Sequence, residues 1–154
     1  MDFSSTMAAA APLRHLTAYP PFRIPKPMST TPPKAFAGHI AEIDWMEYPG
    51  HFGGALSKPL VSPETCGSRR IDHRISCYAP MAHVAEHVHQ VQEQVYHVLE
   101  GEGLLTLDGE RRVMRCHDYV FVPPGVRHSF SNNCTVPLVF LVVTTPVVDD
   151  EEAL

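Results

Sequence analysis

The chain has 154 residues, 44% of them apolar, and a formal net charge of −5 with histidine neutral. That size suits one domain with a single core. No Lys/Arg run exceeds two residues, which argues against nucleic acid as a partner, and no apolar run reaches the roughly 18 residues of a membrane span.

Residues 1–36 read as a Pro-rich tail, poorly packed or draped over a partner, since seven of the fifteen prolines fall between Pro12 and Pro33. Met28 is an alternative start within it. Residues 37–148 read as the folded domain. Ile40 to Tyr48 is a short element of unassigned type, and Gly50 to Gly54 a loop. Leu56 to Val61 is a strand with Pro59 at an edge. Ser62 to Ser68 is a turn region.

Arg70 to Tyr78 sets Ile71, His73, Ile75 and Cys77 against Asp72, Arg74, Ser76 and Tyr78, the alternation of a half-buried strand. His83 to His89 is the next strand, followed by Val95 to Leu99. Leu104–Leu107 and Arg111–Arg115 form a hairpin turning at Asp108-Gly109. Tyr119–Val122, Arg127–Ser131 and Leu138–Thr145 complete the strands. Residues 149–154 are expected to be a solvated acidic tail. Strands recurring about every 8 to 12 residues, with no sustained helical period, predict an all-β sandwich or barrel.

Seven of the ten histidines lie between His73 and His128. His87 and His89 stand at i and i+2, so on a strand they share a face and suit a divalent transition metal. A carboxylate or carboxamide from the next strand, with His128, would complete such a site. The cysteines (Cys66, Cys77, Cys116, Cys134) make no CxxC pair and read as small reduced core residues of a cytoplasmic chain.

Two blocks resemble the paired motifs of the cupin superfamily. His87, His89, Gln94 and Gly101 fill G-x5-H-x-H-x3-4-E-x6-G. Pro123, Gly125, His128 and Asn132 fill G-x5-P-x-G-x2-H-x3-N. Met81 and His117 stand where the family usually has glycine, so atypical turns are expected there. The register that lands on Gly101 favours Gln94 as fourth ligand; the shorter family spacing would select Glu93 instead.

The resemblance implies a double-stranded β-helix, the jelly-roll barrel. It also implies a divalent transition metal (Fe, Ni, Mn, Cu or Zn) on His87, His89, Gln94 and His128. The expected function is a metal-dependent enzyme of the isomerase/lyase or non-haem dioxygenase type. Its substrate would be a small oxygenated, anionic organic molecule. The alternative is a non-catalytic ligand-binding or sensor cupin. Tyr96, His83 and Glu93, in falling order, are the candidates for proton transfer. Arg74 is either an anchor for a substrate carboxylate or, the preferred reading, a solvated strand charge. Cupins that linearise unsaturated uronates share Glu-Gln at 93 and 94. Their Asp-x-Phe-x-Pro signature, counted back from Pro146, meets Val142 and Thr144 here, so that activity is not expected. A homodimer paired through a sheet edge is expected.

Overall fold

The computed structural model describes residues 35–150. All but the last two residues of the expected Pro-rich tail, and most of the acidic tail, lie outside them. The described residues form eleven strands: β1 (Met46–Glu47), β2 (His51–Phe52), β3 (Ala55–Val61), β4 (Asp72–Tyr78), β5 (His83–Val84), β6 (Glu93–Glu100), β7 (Glu102–Leu107), β8 (Glu110–Arg115), β9 (Tyr119–Val122), β10 (His128–Ser131) and β11 (Leu138–Thr145). They make two antiparallel sheets, ordered β1-β3-β4-β11-β6-β9 and β2-β5-β10-β7-β8. This is the expected jelly-roll barrel.

Turn chemistry explains several boundaries. Asp108 and Gly109 both take positive φ (46° and 85°), the backbone a tight two-residue hairpin needs, and β7 pairs with β8 across them. Met81 and His117 take φ of 69° and 71°. The backbone at these two family glycine positions is therefore left-handed, although neither residue is glycine. Pro59 sits beyond the reach of β1, which covers only Ser57 and Leu56, so its missing N–H faces an open edge as expected.

Three local expectations need correction. The Ser62–Ser68 turn contains a one-turn helix, α1 (Pro63–Cys66), closed by a Ser62/Thr65 capping box with Pro at its start. The loop 50–54 contains β2, and a 3-10 turn spans Ile40–Glu42. The strand expected over His83–His89 ends at Val84, and His87 pairs separately with His128.

The faces of β4 are the larger surprise. Asp72, Ser76 and Tyr78 are buried and point into the barrel with Arg74, while Ile71 is exposed. The apolar interior is a cluster that includes Tyr78, Val98, Leu105, Phe130, Leu138 and Phe140. All four cysteines are unpaired, and no helix among the described residues is long and apolar enough to cross a membrane.

Candidate metal centre

A reciprocal backbone pair brings the first two histidines together. His87 N–H donates to the His128 carbonyl at 2.9 Å, and His128 N–H donates to the His87 carbonyl at 2.8 Å. The loop after β9 supports His89, because Gly125 N–H donates to its carbonyl at 2.8 Å. Ring centroids lie 4.2 Å (His87–His128), 5.1 Å (His87–His89) and 5.5 Å (His89–His128) apart. The candidate ligand atoms of the three fall within 4.8 Å of one another.

Each ring has its Nδ1 turned to an acceptor. His87 Nδ1 donates to the Ala85 carbonyl (2.8 Å), His128 Nδ1 to the Val126 carbonyl (2.9 Å), and His89 Nδ1 to Asp149 Oδ2 (3.4 Å). These bonds select the tautomer that leaves a lone pair on every Nε2. His89 Nε2 is buried with no hydrogen-bond partner. A buried, unsatisfied nitrogen is costly unless something else meets it, and a cation would. Burial holds the His128 pKa down, to about 4, with the His87 and His89 charges acting the same way against the bond to Val126. Burial likewise lowers His89. Neutral imidazole is the ligating form, so the donor set fits a transition metal.

Gln94 is buried on the inner face of β6. Its Oε1 lies 3.0 Å from His128 Nε2 and accepts from Tyr96 Oη at 2.7 Å. Its Nε2 donates to Thr144 Oγ1 at 3.2 Å. Glu93, the alternative fourth ligand and a proton-transfer candidate, is exposed on the opposite face. Strand alternation dictates this, since neighbours in sequence cannot share a face.

His87, His89 and Gln94 border a cavity of about 210 Å³, and His128 stands behind them, outside its lining. Tyr96 lines it, and burial raises its phenol pKa, so the hydroxyl stays protonated. His83 does not line it: the residue is exposed and packs against Phe52, ring centroids 5.3 Å apart. Its expected parity with His87 fails because the chain leaves the strand between them.

Four lining or supporting residues escaped the sequence reading as site residues. Asp72 binds Arg74 through two contacts of 2.6 Å, both inside the cavity, which corrects the preferred reading of Arg74 as a solvated charge. His51 also lines the cavity, its Nδ1 toward the Pro49 carbonyl, and burial lowers its pKa. Thr144 orients Gln94. Asp149 does not wave in solvent: Oδ1 accepts from the N–H groups of Gln90 (2.8 Å), Val91 (2.8 Å) and Gln92 (3.1 Å). Parity along β4 and β11 was the available signal for Asp72 and Thr144. Nothing local in the sequence marks His51 or Asp149.

Residues 74–144 match the family model for the cupin domain. The polyketide synthase protein CurC of Streptomyces cyaneus is 31% identical over 80 residues, covering 52% of this chain and 51% of that protein. The chain spans about half the length of the curated relatives it matches first. Among solved structures, a predicted oxalate decarboxylase from Thermotoga maritima superposes with a TM-score of 0.65 at 24% identity, over 72% of this chain and 99% of that one. A cupin-superfamily sugar phosphate isomerase from Silicibacter pomeroyi superposes with a TM-score of 0.60 at 26% identity, over 70% of this chain and 73% of that one.

Proposed function

We propose that this chain, whose residues 74–144 match the cupin domain, is a metal-dependent enzyme acting on a small, oxygenated, anionic organic molecule. The reaction class is isomerisation, elimination or dioxygen-dependent cleavage. His87, His89, His128 and Gln94 would hold one divalent ion (Fe, Ni, Mn, Cu or Zn). The observation that carries this reading is the convergence of three tautomer-fixed Nε2 atoms, one of them buried and unsatisfied.

When bound, such an ion supplies Lewis acidity toward a substrate oxygen. All four proposed donors are neutral, so the ion's charge is not cancelled by its ligands, which favours an anionic substrate. The chain's own residues do the rest. Tyr96, kept neutral by burial, is the proposed proton donor beside Gln94. His51 is the proposed acceptor, because its ring lines the cavity and its Nδ1 is tied to Pro49. His83 and Glu93 follow them, since neither borders the cavity. A volume of about 210 Å³ lies below the roughly 300–1,000 Å³ of pockets for drug-sized ligands. That supports a small hydroxy or keto acid over a polycyclic substrate.

A ligand-binding role without turnover is the second reading. It is favoured by one fact: the Tyr96 hydroxyl is already committed to Gln94. The test is metal analysis of the purified chain with dioxygen uptake and product formation against hydroxy and keto acids. Dioxygen consumption selects the oxygenase, product without it the isomerase or lyase, and tight binding without product the sensor.

A cytoplasmic homodimer completes the proposal. Val95 and Phe121, and His97 and Tyr119, are cross-strand pairs on the outer face at the β9 edge, where Val95, Phe121 and Tyr119 are exposed. An edge strand with exposed aromatic residues is a natural pairing surface.

A further inference from the structure

The cavity has a second polar wall that metal binding does not use. β4 sends Asp72, Arg74 and Ser76 inward, into a lumen whose lining also includes Val84, Phe130 and Val142. Asp72 grips Arg74 through Nε and Nη2, 2.6 Å each. The Tyr48 ring lies under the guanidinium, its centroid 4.0 Å from Arg74 Cζ. The fork is therefore fixed in plane and direction, and an arginine has five N–H donors, more than these partners take.

A structural role alone explains this arrangement poorly. An enclosed ion pair adds little stability, and well-packed aliphatic residues would serve a barrel interior as well or better. Placed in a cavity, a pinned guanidinium is an oriented donor for a planar anion.

The register places this wall relative to the histidines. Asp72, Thr144 and Gln94 form one cross-strand row, and Arg74, Val142 and Tyr96 the next. The wall is thus two strand spacings from the Gln94 side, roughly 10 Å between backbones. Both groups project into the lumen from the same sheet face, so a molecule touching both need span only about that distance, in keeping with the cavity of about 210 Å³.

We propose that Arg74, positioned by Asp72 and Tyr48, is a carboxylate anchor, and that the cavity selects a short molecule with a carboxylate at one end and a metal-chelating oxygen group at the other. The near end of that description rests on Arg74; the far end rests on the metal reading above.

The test is calorimetric titration of the cobalt(II)-loaded full chain with acetate, malonate, succinate, glutarate and adipate. One dicarboxylate should bind at least about tenfold more tightly than acetate, the scale of an added charge-assisted pair. The double variant R74Q/D72N, which removes both charges and so leaves no orphaned carboxylate, should bring that ligand down to the acetate level. R74K, which keeps the charge and loses the fork, should fall between. Cobalt affinity should be unchanged in both variants. An advantage over acetate that survives R74Q/D72N, or no dicarboxylate exceeding acetate, overturns the anchor. If the wild-type chain takes up no cobalt, the metal reading fails, and the same series is followed by NMR on the metal-free chain. There, dicarboxylate binding that R74Q/D72N abolishes sustains the anchor, and its absence or persistence overturns it.

Discussion

His128 Nε2 and Gln94 Oε1 face each other at 3.0 Å, and both offer lone pairs. The imidazole proton is committed to the Val126 carbonyl on the other side of the ring. A second proton would make an imidazolium, which burial opposes. Two acceptors in contact repel, and a cation bridging them turns the repulsion into attraction. The same pair would also be satisfied by an amide flip, so the orientation of Gln94 should report whether an ion is bound.

Ligand roles can be ranked by substitution. His128→Ala should remove stoichiometric metal, and Gln94→Ala should weaken it by roughly 10–100-fold, while Glu93→Ala should leave it within about twofold. Chelator competition measures all three. A larger loss for Glu93→Ala than for Gln94→Ala would assign the wrong residue to the fourth position.

Thr144 should matter through Gln94. Thr144→Val keeps the shape of the side chain and deletes the acceptor for Gln94 Nε2. We expect about tenfold weaker metal binding. Unchanged affinity would mean that Tyr96 alone orients the amide.

Metal-free stability should fall in acid. His128 has a folded pKa near 4 against about 6.5 when unfolded, so between those values the unfolded chain binds the extra proton. Stability therefore rises with pH across that window and is lost as pH drops from about 6.5 toward 4. His128→Gln should flatten the profile in thermal melts of the apo chain. A slope of the same size in that variant would point to other groups.

The two left-handed turns predict stabilising changes. Met81→Gly and His117→Gly each relieve a positive φ. Each should add about 1 kcal/mol, the left-handed penalty less the extra freedom of unfolded glycine. Urea denaturation reads this directly, and a loss of stability at either site would mean that the side chain makes compensating contacts.

Asp149→Ala should release the 90–92 segment. Three backbone N–H groups lose their acceptor and His89 loses its Nδ1 partner. Faster exchange at the Gln90, Val91 and Gln92 amides is expected, with metal affinity reduced. Burial acts to raise the Asp149 pKa, but those N–H groups outweigh it and hold the value low. The latch is therefore complete above the usual carboxylate range and lost only as pH falls through that depressed value. Unaltered exchange in the variant would show that Gln92 and Pro146 suffice to hold the segment.

Much of this was legible beforehand, for identifiable reasons. Turn residues such as Asp108-Gly109 and Pro123-Pro124-Gly125 act locally, so strand order could be read from them. The His87/His89 spacing and the register to Gly101 are likewise sequence-local; parity puts Gln94 and Glu93 on opposite faces, and that register is what favoured Gln94, the one found buried. What failed depended on a burial direction that alternation does not specify. On β4 the more polar row faces inward, because it lines a cavity rather than the packed apolar cluster. His83 was misplaced because its strand stops at Val84, and strand length depends on a partner strand far along the chain. Asp149 was invisible because its contacts span 57 to 60 residues.

The mutual bond between the His87 and His128 main chains has a bearing on how quickly the protein becomes competent. The two imidazoles are set opposite one another by peptide groups that belong to the barrel itself, so folding of the barrel alone positions this pair of proposed donors. Ion capture should then be a single bimolecular encounter with no ordering phase.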